Sequence, residues 1–174
     1  VASSDWSCAR EDARVTAHLE DALVQLRTAP PPGLSPEQGV RRARLLSLLE
    51  RYIDERAFPR RTGAASPVFV DEENRHCAMG ALLAWTGGRT IVEHIRATRN
   101  FATVPVLADE PGLAEWLTEN GLAPEEAALV QPTYYQCQSP LSLCGFLSRA
   151  QIDLVNTAIP AKADGAPFVW ADTH

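Results

Sequence analysis

The chain has 174 residues, of which 45% are hydrophobic and 22% charged, and its net charge is −6 at pH 7. This length supports one well-buried core and is too short to favour two domains. Nucleic acids and anionic membranes select basic surfaces, so the acidic balance argues against either of them as the main partner. The sequence has no run of about eighteen apolar residues, which predicts that no helix spans a membrane.

The cysteines and the first residue bear on the compartment. The sequence begins at Val1 rather than Met, and it contains four cysteines, an even number. Disulfides persist in oxidising compartments, so these features predict a secreted or periplasmic protein whose signal peptide has been removed. A chain shortened at its start by other means is the alternative.

Residues 1–57 are predicted to form a helical hairpin. The first helix covers residues 8–28, and its apolar residues at helical spacing are Val15, Leu19, Ala22, Leu23 and Leu26. Ser35 and Pro36 are typical of an N-cap and a first helical position, so a second helix is expected from there to about Arg56. Its predicted core face contains Val40, Leu45, Leu46, Leu48, Leu49, Tyr52 and Ile53, and its predicted solvated side contains Arg41, Arg42, Arg44 and Arg51.

Residues 67–135 are predicted to be the central helical core. A short strand is expected over residues 68–70, a turn over 71–76 and a second extended segment over 101–107. Helices are predicted over residues 77–85, 89–99 and 110–119, the last of them capped by Asp109, and from Ala123 to Pro132. The acids expected on solvated faces or in first turns are Glu110, Glu115, Glu119, Glu125 and Glu126.

The remaining segments complete the predicted fold. Residues 136–160 are expected to contain a disulfide loop and a last helix over 148–159, and residues 161–174 form a tail. The predicted fold class is therefore mainly α, a compact single-domain bundle of about seven helices with one or two short extended segments. Two disulfides are expected to hold it together, and the favoured pairs are Cys137 with Cys144 and Cys8 with Cys77.

Several strings in the central core resemble one pattern. These are Phe69-Val-Asp71, Cys77-Ala-Met-Gly80, Gly121-Leu-Ala-Pro-Glu-Glu-Ala and Gln131-Pro-Thr-Tyr134. Together they look like a pattern in uncharacterised secreted bacterial proteins, and the resemblance covers about residues 67–135. It implies a secreted compartment and a common helical core, and it carries over no catalytic residue.

The polar corner before the third helix is the first candidate site. Asp71, Glu73, His76 and Cys77 lie close together in sequence, and His94 of the next helix could join them. Carboxylate, imidazole and thiolate are the ligands of transition-metal sites. However, adjacent side chains at the start of a helix diverge by about 100°, so His76 and Cys77 are poorly placed to share one ion. The simpler interpretation is a turn and a helix cap, with no metal and no cofactor.

Cys77 is also a candidate nucleophile. A helix N-terminus lowers a thiol pKa, and His76 or His94 could act as the base. A disulfide is the default expectation for it in an oxidising compartment. Gly80, which follows three residues later, is better explained by close helix packing than by an oxyanion hole.

Aromatic residues at helix borders are the third candidate. Trp85 and Tyr134 could line a ligand pocket, although such residues are more often part of the core. The favoured function is a secreted binding or accessory protein with a protein partner or a small ligand. The alternatives are a metal-dependent or cysteine-dependent enzyme centred on Asp71, His76, Cys77 and His94, and a structural subunit of an extracellular or envelope assembly.

Overall fold

The computed structural model of the protein describes residues 5–61, 65–135 and 137. The chain is mainly helical there, as predicted, and its elements are α1 (Asp5–Thr28), α2 (Pro36–Glu55), α3 (Ala78–Trp85), α4 (Arg89–Arg99), a 3-10 helix (Val104–Leu107), α5 (Leu113–Glu119) and α6 (Pro124–Val130). These six α-helices correspond to six of the seven predicted ones. The seventh, over 148–159, lies outside the described residues, as does the tail over 161–174.

The second long helix, α2, begins and ends where its caps require. Ser35 Oγ accepts a hydrogen bond from Gln38 N at 3.2 Å, and Gln38 Oε1 accepts one from Ser35 N at 2.8 Å. This reciprocal pair satisfies two backbone donors that the first turn of α2 would otherwise leave free. At the other end, Arg56 adopts the left-handed conformation with φ of 49° and closes the helix. The predicted limits of α2 are therefore confirmed to within one residue.

The segment between α2 and α3 turns the chain into the core. The predicted strand over residues 68–70 is wrong: in the part of the chain that the structure describes, Val70 forms only an isolated bridge with His76. Phe69 instead joins two elements, since its N–H donates to Asn100 O at 2.9 Å and its carbonyl accepts from Cys77 N at 2.8 Å. A Cβ atom on Gly80 would lie 3.1 Å from that carbonyl, so the close packing expected at this glycine is present.

Two predicted elements after α4 are also corrected. Residues 101–107 were expected to be extended, but Val104–Leu107 forms a 3-10 helix with Pro105 in its first turn, where a missing N–H costs nothing. Asp109 does not cap α5. It forms an ion pair with Arg99 at 2.6 Å, and α5 begins at Leu113, three residues later than predicted, after Gly112, whose φ of 80° favours glycine.

One continuous apolar core extends from Val15 of α1 to Tyr134. α1 packs against α2 and α6, α2 against α3 and α5, and α3 against α4 and α6. The predicted apolar stripe of α1 is buried throughout. On α2 the prediction fails at two positions, because Val40 is 72% exposed and Arg42 is buried.

Two of the acids that were predicted on solvated faces or in first turns are withdrawn from solvent, although Glu126 does lie in the first turn of α6. The side chain of Glu110 is completely buried, and that of Glu126 is only 13% exposed. Both carboxylates are paired with arginine, Glu110 with Arg99 and Glu126 with Arg42. Burial of these charges is possible because each has a cationic partner, eleven residues away for Glu110 and 84 residues away for Glu126.

The disulfide differs from the predicted pairing. Cys8 in α1 is bonded to Cys137, with 4.8 Å between their Cα atoms, so neither the pair of Cys8 with Cys77 nor that of Cys137 with Cys144 forms. The segment after α6 runs along the start of α1, where Tyr135 N donates to Glu11 Oε1 at 2.8 Å. This return brings Cys137 to Cys8. Cys77 is a free thiol, and Cys144 lies outside the described residues.

Candidate functional site

The polar corner at residues 71–76 is a satisfied turn. The buried carboxylate of Asp71 accepts hydrogen bonds from Arg60 N at 2.8 Å, Glu73 N at 3.0 Å, Arg75 N at 2.8 Å and Arg75 Nε at 2.6 Å. Burial alone would raise the pKa of Asp71, but the hydrogen bonds from Arg60 and Arg75 outweigh it and hold the pKa below its usual value. All the lone pairs that a metal would need are therefore in use. Glu73 is exposed and pairs with Arg75 at 2.5 Å.

His76 is half-buried beside this turn. Burial lowers the pKa of its imidazole, and the nearby guanidinium groups of Arg89 and Arg96 lower it further, so the neutral form is favoured. Its backbone carbonyl accepts a hydrogen bond from the buried phenol of Tyr52 at 2.8 Å. His76 thus links the turn to α2.

Cys77 is the N-cap of α3. Its Sγ accepts a hydrogen bond from Gly80 N at 3.2 Å, and the residue has no exposed surface. Burial raises the pKa of the Cys77 thiol to about 12, despite the backbone hydrogen bonds from Gly80 and Met79, which lower it. A thiol that is neutral and inaccessible at neutral pH cannot attack a substrate in the folded protein.

We expect Cys77 to resist alkylation in the folded protein and to react only after unfolding. At pH 8, iodoacetamide should leave the Cys77 peptide unlabelled over the time in which the same peptide from guanidinium-unfolded protein is fully labelled. Peptide mass mapping measures this residue separately from Cys144. Equal labelling of the folded and unfolded samples would contradict the burial of Cys77 and restore the nucleophile hypothesis.

His94 belongs to a separate charge network on α4. Its Nδ1 lies 2.5 Å from Glu110 Oε1, and the other carboxylate oxygen of Glu110 accepts from Arg99 at 2.6 Å. Burial alone would raise the pKa of Glu110, but His94 and Arg99 outweigh it and lower the pKa. The network attaches the segment before α5 to α4. It uses His94 as a structural partner rather than bringing it to Cys77.

The predicted metal constellation is therefore not assembled. Asp71 and His76 belong to the turn, Cys77 is sealed in the core and His94 is paired with Glu110. Within residues 5–61 and 65–135, no group of three or more His, Cys, Asp or Glu side chains is arranged to hold a metal ion. Tyr134 is buried in the core close to Tyr52 and Cys77, and burial raises its pKa well above the usual value.

Trp85 lines a surface groove. The groove has a volume of about 320 Å³, and its lining residues, which define the Trp85 groove below, are Arg41, Arg44, Trp85, Thr86, Glu119 and Asn120. The indole of Trp85 is 38% exposed and lies edge-on to the buried ring of Tyr52, with 6.2 Å between the ring centroids. Tyr52 thereby supports the indole, which stays partly exposed in the groove.

Arginines of α2 surround this indole. The guanidinium of Arg51 lies over the Trp85 ring at 5.5 Å, which is within the range of a cation–π contact. Arg41 and Arg44 are three residues apart on the same helix face and are both exposed. The sequence predicts these arginines on the solvated side of α2. It does not show that residues of α3 and α5 lie beside that side and form a groove with it.

A second hollow has a different electrostatic character. It has a volume of about 390 Å³ beside the exposed residues Phe101 and Val106, and it includes Arg96 and Arg99. Arg99 is paired with Asp109 and Glu110, and Arg96 donates to Asn74 Oδ1 at 2.8 Å. The arginines of this hollow are already engaged by the protein itself.

No protein-family model, no curated protein and no solved structure matches this chain. The resemblance to secreted bacterial proteins therefore stays a prediction. Within the described residues, the Trp85 groove combines an exposed aromatic ring with Arg44, a guanidinium that forms no hydrogen bond or ion pair there.

Proposed function

We propose that this protein is a secreted or periplasmic helical binding or accessory protein, and that its ligand site is the Trp85 groove. The observation that carries the proposal is the accessible indole of Trp85 beside the guanidinium groups of α2. Aromatic rings and arginine are the side chains that contribute most to binding sites, because they offer a large contact area and directional hydrogen bonds.

The rigidity of the groove supports this function. Trp85 is the last residue of α3, and the adjacent Thr86 is held by two hydrogen bonds, from its hydroxyl to Leu82 O at 2.6 Å and from Trp116 Nε1 to its Oγ1 at 3.0 Å. A binding surface that is ordered before the ligand arrives loses less entropy when the ligand binds. The groove is thus built on helix ends rather than on a long loop.

The compartment is supported by two observations. Cys8 and Cys137 form a disulfide that links distant parts of the chain, and such bonds persist in oxidising compartments. None of the helices in the described ranges combines the length and hydrophobicity needed to cross a bilayer. Secretion itself remains part of the proposal.

The enzyme alternative receives less support from the geometry. Its four residues are used in a turn, in the core and in a structural charge pair, and they do not converge. A structural subunit would need an apolar contact surface, and the large exposed apolar side chains of the described residues are spread over several elements. Neither alternative is supported by an arrangement comparable to the Trp85 groove.

Binding at the groove can be tested with three probes that share a phenyl ring. Phenylacetate, phenylacetamide and phenethylammonium would each be titrated into the protein while the Trp85 indole N–H resonance is followed by NMR. We expect at least one probe to shift this resonance saturably, with a Kd on the order of 1 mM for a ligand of this size.

A pair of variants locates the binding. Measured by isothermal titration calorimetry, Trp85→Ala should abolish binding of that probe, whereas Phe101→Ala should retain it, because Phe101 is an exposed aromatic residue of the other hollow. If none of the three probes shifts the Trp85 resonance, or if Trp85→Ala binds as well as the unaltered protein, the proposed site is wrong.

A further inference from the structure

The arginines around the Trp85 groove differ in whether they have an ion-pair partner. Arg51 is paired with Glu55 at 2.7 Å, and Arg41 lies 3.7 Å from Glu119. Arg44 is exposed, and within the described residues it has no hydrogen bond or ion pair. The groove therefore contains one cation whose donors are free for a ligand.

The spacing of the two groove arginines on α2 adds to this unpaired positive charge. Arg41 and Arg44 are three residues apart, so their like charges are neighbours on the helix surface and repel each other. Glu119 relieves Arg41 only weakly, because both side chains are more than half exposed and the distance is long. An anion beside Arg44 would relieve the remaining repulsion.

The aromatic side of the groove, formed by Trp85, favours a second chemical feature in the ligand. The exposed part of Trp85 offers an apolar surface against which a flat ring can pack. The volume of about 320 Å³ is at the lower end of the range for ligand pockets, which corresponds to a small molecule rather than a protein segment.

We propose that the Trp85 groove binds a small ligand consisting of a planar ring and an oxyanion, and that Arg44 binds the oxyanion. This inference rests on the proposed function, since it assigns the ligand class of the same site. A guanidinium donates two parallel N–H groups to a carboxylate or to a phosphate, so both anions fit Arg44 equally well in geometry. Glu119 occupies the Arg41 side of the groove and directs the anion toward Arg44.

The test compares phenyl compounds whose polar groups are anionic or neutral, and phenylacetate and phenylacetamide form the matched pair. Phenylacetate and phenyl phosphate should bind about tenfold more tightly than neutral phenylacetamide, because the bond to a guanidinium is charge-assisted. The ratio of the two anions then distinguishes a carboxylate ligand from a phosphate ligand. Isothermal titration calorimetry and the Trp85 resonance give the Kd values.

Three variants test the role of Arg44. Arg44→Gln should remove the preference for the anions while leaving the binding of phenylacetamide unchanged. Arg56→Gln is the matched control, since it removes an exposed arginine from the end of α2 that does not line the groove, and it should keep the preference. Glu119→Gln should strengthen anion binding by roughly twofold to threefold, as expected for an exposed charge.

The outcomes separate this inference from the proposed function. If phenylacetamide binds at Trp85 as tightly as phenylacetate, or if Arg44→Gln keeps the anion preference, the ligand class is wrong and the binding site stands. If no phenyl compound binds at Trp85, both proposals fail. The gain expected for Glu119→Gln cannot result from partial unfolding, because a loss of folded protein would only weaken binding.

Discussion

Replacing Arg42 with Met should lower the free energy of unfolding by about 3–5 kcal/mol, because the change leaves the carboxylate of Glu126 buried without its cation. The guanidinium of Arg42 donates to both oxygens of Glu126, at 2.9 and 2.6 Å, and also to Gly121 O and Leu26 O, each at 2.7 Å. One side chain thus joins α1, α2 and α6. Urea unfolding followed by circular dichroism measures the loss.

Arg41 provides the matched control for this prediction. Arg41→Met removes the same charge one residue earlier, from an exposed pair with Glu119, and should change stability by less than about 1 kcal/mol. The double variant Arg42→Met with Glu126→Leu removes both charges and should recover part of the lost stability. Equal effects of the two single substitutions would show that the buried ion pair does not have the structural role assigned to it.

Loss of the disulfide between Cys8 and Cys137 should have a comparable effect. The bond closes a loop with a sequence separation of 129 residues. In the chain-entropy model, a loop of that length contributes about 5 kcal/mol through the unfolded state. We expect the double variant Cys8→Ser with Cys137→Ser to have a markedly lower melting temperature than the unaltered protein.

Cys144→Ser is the control for the disulfide prediction, and it should leave the bond between Cys8 and Cys137 in place. Peptide mapping without reduction should recover Cys8 linked to Cys137 in both the unaltered protein and this control. Recovery of Cys137 linked to Cys144 would contradict the observed pairing. A melting temperature unchanged in the double serine variant would show that the unfolded chain is not constrained as the entropy model assumes.

Local signals predicted the helices well. Ser35 and Pro36 predicted the start of α2, and the limits of α4 were predicted without error, because capping and helix termination depend on residues within one or two turns. The failure at Arg42 involves a partner far away in sequence. Arg42 is buried because it forms an ion pair with Glu126, which lies 84 residues later in the chain. No periodic pattern on α2 contains that information.

The candidate site was predicted only in part. Trp85 was identified as a possible pocket residue, whereas the arginines of α2 were interpreted as a solvated face. The corner at Asp71 and Cys77 was a candidate site because its residue types match metal and thiol chemistry. In the folded protein those same groups are satisfied by backbone N–H groups, a competition that sequence spacing alone does not resolve.

The bond between Cys8 and Cys137 also makes most of the chain a covalent ring. A single cut in the backbone of that ring, for example in the exposed connection between α1 and α2 at Pro32 and Gly33, would release no fragment. The nicked protein would keep its full mass on a non-reducing gel and separate into two pieces only after reduction. A protease could therefore cleave such a connection without detaching α1 from the rest of the molecule.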